Sequence, residues 1–168
     1  MTVVAGDAGN TESLKYIVTG TKATGGSSAI AVGKVVKLTE ATGVWSAAAT
    51  SSKGPFGVCA NVYPVNGDSD AIINVAVGGG EWYVTADGAI KPYARVMISG
   101  STAGEVVTWA SATIDTTPAQ ADVVAARDEF SKVVGIYLGH EGEGKGGTVP
   151  TDAADGEIIR ILLGGGAA

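Results

Sequence analysis

What this sequence is short of narrows its function more than what it holds. It has one cysteine, Cys59, and one histidine, His140, among 168 residues. A lone cysteine closes no disulfide within the chain, and one residue of each kind makes no zinc constellation. The 11 lysines and arginines stand singly against 17 acidic residues, for a net charge of -6, so there is no basic stripe to neutralise phosphates. No apolar run is long enough to span a bilayer, and the opening MTVVAGDAGNTESLKYIV lacks the basic start and apolar stretch of a secretory leader. We therefore expect no nucleic-acid partner, no membrane partner, no cofactor and synthesis in a cytoplasm.

Charge and rings are scarce too. Charged residues make up 17% of the chain, where about 25% is usual for soluble domains, and aromatics only 6%. In their place stand 26 glycines and a 45% hydrophobic fraction rich in Ala, Val and Ile. Small and β-branched residues broken by glycine suit many short strands and tight turns. So little charge also implies that part of the surface is covered by something else, as in an obligate oligomer or a component of a larger assembly.

Along the chain, residues 1–13 are small and polar and read as a flexible N-terminal arm, followed by one β domain over 14–168. SLKYIVTGTKA (13–23) alternates Leu14, Tyr16 and Val18 as a first strand. Two strands follow around TEATG, a further one through GPFGVCANVYPV, then AIINVAVGGG and EWYVT, KPYARVMIS and EVVTWAS. DTTPAQADVVAARDEFSK (115–132) is the exception. Thr117 and Pro118 suit an N-cap and first helical position, and Val123, Ala126, Arg127 and Phe130 recur at helical spacing, predicting one helix over about 118–130. VVGIYLG and EIIRILL complete the strands.

The chain also says things twice. AIINVAVGGG (71–80) is matched by EIIRILLGGG (157–166), IAVGKVVKL by IKPYARVMI, GVWSA by VVTWAS and KGPFGVCANV by KVVGIYLGH. The separations grow in order: Ile30 to Ile90 is 60, Trp45 to Trp109 is 64, Gly57 to Gly135 is 78 and Ile72 to Ile158 is 86. Constant order with lengthening connections suits a duplicated β-unit with insertions in its loops. The halves lie at about 29–80 and 89–166, with Trp45 and Trp109 as equivalent core residues. Two copies are too few for a solenoid. The expected fold is all-β, a sandwich or partly closed, jelly-roll-like barrel with one short helix.

Catalytic chemistry finds little support. His140 lies in LGHEGEGKGG, a glycine-rich loop poorly suited to holding a general base, and reads as a solvated loop histidine. Cys59, between Val58 and Ala60, reads as a buried small hydrophobe. Gly139 followed by Gly144-Lys145 approaches a phosphate loop, but positions 146 and 147 are glycine where Ser or Thr should hold magnesium. The acidic turns at Asn66, Asp68 and Asp70 and at Asp152, Asp155 and Glu157 could offer calcium oxygens, yet fit ordinary strand-capping turns better. No catalytic, cofactor or metal residue is assigned, and an enzyme is not expected. Trp82 and Tyr83 are adjacent, so on a strand they point to opposite faces and one should look outward. They are the expected interface anchors, together with the bend at Gly78, Gly79 and Gly80.

These phrases resemble the capsid cement, or decoration, proteins of tailed phages. That family repeats I-x-x-G-x-x-V, a turn, an A-x-T strand, a G-V strand, an alternating V-x-V-x-x-x-G strand and A-I-x-x-x-x-x-V, closing on V-G and V-x-V-L-L. The matching stretches here are IAVGKVV, SAAATSSKGPFGV, INVAVGGGEWYV, GAIKPYARVMI, KVVGIYLG and EIIRILLGG, spanning about 28–165, with the 114–131 helix and the 140–156 loop as extra length. The resemblance implies a β-sandwich or barrel seated as a dimer or trimer on the outside of an icosahedral head. There it would bind the major capsid protein across joints between subunits. It carries over no functional residue, because the shared pattern marks strands and turns. The alternative is a head fibre or a carbohydrate- or cell-surface-binding β module, which would need coplanar exposed rings.

Overall fold

Alternating β-branched residues cut by glycine turns build strands, and in this chain they build two sets of five. A computed structural model describes residues 16–22, 30–39, 41–49, 52–64, 71–110, 119–144 and 147–164. The N-terminal arm expected at 1–13, Thr117, Pro118 and the acidic turn at 66–70 lie outside the described residues. The strands are β1 Tyr16–Lys22, β2 Val35–Thr39, β3 Val44–Ala47, β4 Phe56–Pro64, β5 Ala71–Gly78, β6 Glu81–Thr85, β7 Arg95–Ile98, β8 Val106–Thr108, β9 Val133–Gly139 and β10 Ile158–Leu163. One helix, α1 Gln120–Phe130, lies between β8 and β9. The fold is all-β with a single short helix.

The first five strands close a barrel in the order β1-β3-β2-β4-β5; the second five form a sheet in the order β6-β10-β9-β7-β8. Started from β3 and from β8, the two orders become β3-β2-β4-β5-β1 and β8-β7-β9-β10-β6, which is one plan used twice. Neighbours in both runs are antiparallel. The parallel closure of the barrel, Thr21 to Val44 and Lys22 to Trp45, is echoed by one parallel bridge, Ala86 to Val106.

Register repeats as well. Val36 faces Gly57 as Val96 faces Gly135, and Cys59 faces Val75 as Tyr137 faces Ile161. Each unit carries the same bulge, where Ala60 is skipped between Cys59 and Asn61 and Leu138 between Tyr137 and Gly139. A bulge re-aims a strand, so both units turn at one place. The units run from β1 to β5 and from β6 to β10, each beginning one strand earlier than the matching phrases suggest.

Inward positions correspond one for one. Ile30, Val36, Trp45, Cys59, Ile73 and Val75 fill the barrel. Their counterparts Ile90, Val96, Val106, Tyr137, Ile159 and Ile161 belong to a larger core shared between the units. Each unit needs a large ring, supplied from different strands. In the barrel the Trp45 ring lies directly over Gly20, where a Cβ would meet its Cδ1 and Nε1 atoms at 2.5 Å. In the second unit Val106 and Val84 occupy those two places, and Trp82 supplies the bulk from β6.

Two expectations are corrected by this register. Trp45 matches Val106, not Trp109, because the turn between β7 and β8 is one residue longer than that between β2 and β3. Trp109 lies outside both cores, packed edge-on against Phe130 with ring centroids 5.8 Å apart. The helix starts at Gln120 behind an Ala119 N-cap, whose N–H is held by the Asp122 carboxylate at 3.0 Å. None of its residues is buried, and Val123 is half exposed, although Val123, Ala126 and Phe130 recur at helical spacing.

Candidate functional site

Alternation correctly places Trp82 and Tyr83 on opposite faces of β6, but both faces are covered. Trp82 is 2% exposed, lies in the shared core and donates its indole N–H to the Gly79 carbonyl at 3.1 Å. Tyr83 is 5% exposed and stands opposite Arg160, itself 3% exposed. The Arg160 guanidinium reaches over to the carbonyls of Leu138 and Glu143, so the 140s loop covers that side. Neither ring is available as an interface anchor in this chain. The Gly78–Gly80 stretch is not a free sheet edge either, because β5 is paired on both sides, with β1 and β4. Gly79 and Gly80, at φ 65° and 78°, carry the chain out of the barrel and into β6.

The open surface emerges from comparing the units. Ala48, Val35, Val58 and Ala76 form a row across β3, β2, β4 and β5 on the outside of the barrel, all fully buried in the shared core. The second unit places Trp109, Arg95, Ile136 and Leu162 at those positions. Ile136 and Leu162 are 38% and 41% exposed, and Arg95 is also exposed. The Arg95 guanidinium stacks 5.4 Å from the Trp109 ring centre and 5.3 Å from that of Phe130. Stem and ring here extend an apolar patch that keeps one charge at its rim.

Backbone differences point the same way. In the barrel, Ala48 N–H donates directly to the Val35 carbonyl at 3.0 Å, while a peptide from the other unit bridges the return bond: Val35 N–H donates to the Gly104 carbonyl at 2.8 Å, and Gly104 N–H donates to the Ala48 carbonyl at 2.9 Å. The Lys34–Glu105 ion pair at 2.6 Å flanks the insertion. At the matching place in the second unit Trp109 N–H likewise donates to the Arg95 carbonyl, but no peptide among the described residues bridges the Arg95 N–H and the Trp109 carbonyl.

His140 is not a solvated loop residue, and sequence reasoning missed its setting. Its Nε2 lies 3.0 Å from Glu157 Oε2, and its Nδ1 lies 3.1 Å from Glu143 Oε2. The Tyr137 and Thr151 hydroxyls each stand 3.3 Å from Nδ1. Tyr137 donates to the Thr151 carbonyl and Thr151 to Glu143 Oε1, at 2.8 and 2.6 Å. The Glu143 carboxyl is held down to about 2, chiefly by the Thr151 hydroxyl and the His140 backbone N–H. Glu157 is also lowered, first by the Ala154 N–H. Burial pushes the Tyr137 phenol up to about 12, helped by Glu143. The available signal was Glu143 three residues after His140, with Glu157 closing the same loop.

Elsewhere, Cys59 is buried and its thiol is pushed up to about 11 by that burial. In the second acidic turn Asp152 pairs with Lys91, and Glu157 caps the turn by accepting from Ala154 N–H at 2.7 Å. No group of three potential metal ligands occurs among the described residues. After Gly139 the described chain forms turns rather than a helix that could receive phosphate. No helix among the described residues is long and apolar enough to cross a bilayer. No family model, curated protein or solved structure matches the chain.

Proposed function

We propose that the protein is a viral capsid decoration, or cement, protein that binds the outside of an icosahedral head and stabilises joints between major capsid subunits. The observation that carries this reading is the row Arg95, Ile136 and Leu162, exposed on the second unit beside a half-buried Trp109. Its counterpart in the barrel is fully buried against the rest of the chain. A clamp needs a stiff scaffold and a surface able to bury area on a partner, and arginine and tryptophan are frequent anchors in such surfaces. Many copies on one shell make modest contacts strong together. A carbohydrate platform would require coplanar exposed rings; Trp45, Trp82, Tyr83 and Tyr137 are buried, and Trp109 and Phe130 meet at 90°, which favours the clamp over a sugar-binding module.

The test is to add purified protein to heads that lack it and to measure bound copies and resistance to heat. The wild-type chain should bind and protect. Ile136→Glu with Leu162→Glu should remove binding while the free protein melts normally. Heads that bind no wild-type protein would end the capsid reading; heads that bind wild type and double variant alike would move the contact elsewhere.

A further inference from the structure

The 140–157 loop touches the core at Ala153, and near its start His140 has a carboxylate at each ring nitrogen. A neutral imidazole carries one N–H and one lone pair. It can donate to Glu143 or to Glu157, but its other nitrogen then directs a lone pair at a carboxylate oxygen about 3 Å away. The neighbouring hydroxyls do not relieve this, because Tyr137 and Thr151 already donate to the Thr151 carbonyl and to Glu143. Turning either toward Nδ1 would abandon one of those bonds. Only the doubly protonated ring presents an N–H to both carboxylates in this arrangement.

We propose that His140 is a proton-operated latch on the 140–157 loop: the imidazolium ties Glu143 and Glu157 together, and loss of its second proton releases one of them. Several loop bonds hang on those carboxylates. Glu143 Oε2 accepts from the N–H groups of His140 at 2.8 Å and Thr151 at 3.1 Å, and Glu157 Oε2 accepts from Ala154 N–H. The Glu143 carbonyl also receives the Arg160 guanidinium, so the latch bears on the cover over Arg160 and Tyr83. The ionisable groups around the ring are Glu143 and Glu157 in the loop, Tyr137 on β9 and Arg160 on β10. Asp152, paired with Lys91, lies farther out.

Both carboxylates are lowered, so they keep their charge between about pH 5 and 8, the window in which imidazoles in general change charge. The latch is thus closed on the acid side of that range and open on the basic side. This inference rests on the cluster geometry and is independent of the capsid reading.

Amide hydrogen exchange on the full chain, corrected for intrinsic exchange, tests it. At about pH 5 the Thr151 and Ala154 amides should both be protected, and at about pH 8 the amide bonded to the released carboxylate, Thr151 for Glu143 or Ala154 for Glu157, should lose protection by about tenfold, the loss of one charge-assisted hydrogen bond. Ser101 and Thr102, whose amides bond to the Ser99 hydroxyl and not to a loop carboxylate, should not respond. In His140→Gln the pH difference should vanish. It should also vanish in Glu157→Gln, whose amide can donate to a neutral ring. Equal protection of the loop amides at both pH values would overturn the latch. So would a wild-type pH difference retained in either variant.

Discussion

Tyr93 stands in the second unit where Gly33 stands in the first. Both have left-handed backbones, at φ 62° and 83°. Their N–H groups donate to matched carbonyls, Gly33 to Cys59 and Tyr93 to Tyr137, at 2.8 and 3.0 Å. Among the described residues Tyr93 is the one non-glycine with positive φ. The fold has kept the hydrogen bond and its dihedral while the residue suited to it changed. For an L-residue that conformation costs about 1–2 kcal/mol, and the Tyr93 ring is 62% exposed, so it returns little by burial. We expect Tyr93→Gly to stabilise the free protein by about 0.5–1 kcal/mol, after the added chain entropy of glycine is counted. A lower midpoint in urea would show that the tyrosine ring contributes packing that outweighs the strain.

Gly57 and Gly135 occupy the same site in the two units, and each lets the following strand approach closely. A Cβ at Gly57 would lie 2.6 Å from the Ala76 carbonyl oxygen, and one at Gly135 would overlap the oxygen of Leu162, the matching residue. Backbone cannot step aside cheaply here, because β4 and β5, like β9 and β10, are paired along their length. Gly57→Ala and Gly135→Ala should each cost about 2–3 kcal/mol, the scale of overpacking. Gly78, with nothing within 4 Å of a Cβ, should accept alanine within about 0.5 kcal/mol. Thermal melts of the three variants distinguish these outcomes. A neutral Gly135→Ala would mean that β9 and β10 separate more easily than their pairing implies.

The fold class and the repeat could be read from sequence because glycine turns and β-branched runs are local signals. The separations of 60, 78 and 86 survive in the register at Ile90, Gly135 and Ile158. The Trp45–Trp109 pairing did not survive: its separation of 64 against 60 needs a turn four residues longer, whereas the register lengthens it by one, which puts Val106 in that place and leaves Trp109 outside both cores. Strand order was hidden, because the antiparallel partners of β1 and β6, β5 and β10, lie far along the chain. Trp82 and Tyr83 show the limit of alternation: it assigns a face, but not whether another loop covers that face. His140 shows the same limit from the other side, since Glu157 reaches it only once the loop has folded.

Joining of the two units depends on a glycine turn. Gly104, at φ 79°, threads its peptide between β2 and β3, and a Cβ there would meet the Lys34 Cβ at 2.9 Å. The matching Gly43 has the same hand, at φ 69°, but nothing within 4 Å. Gly104→Ala should therefore cost about 2 kcal/mol or more, combining left-handed strain with the clash, and Gly43→Ala about 1 kcal/mol from strain alone. Exchange at Val35 N–H would report the site directly, rising only in the first variant. Equal costs for the two variants would show that the inserted peptide does not join the units.

Acid should act on the 140–157 loop through Glu143. Its folded carboxyl is lowered to about 2, with the Thr151 hydroxyl as the largest cause and the His140 backbone N–H next. A carboxyl lowered on folding contributes stability above its unfolded value near 4.5, and that contribution is lost as pH falls toward about 2. Between those limits the native loop binds fewer protons than the unfolded chain, so stability must fall with pH in that window. Thr151→Val removes the leading donor while keeping the size of the side chain. We expect it to raise the Glu143 carboxyl toward the ordinary range and to flatten the acid limb of a stability–pH curve. The carboxyl carbon of Glu143, followed by NMR through the titration, reads this without unfolding the protein. An unchanged titration in Thr151→Val would assign the lowering to the backbone N–H groups of His140 and Thr151. The loop would then keep its acid resistance without the hydroxyl.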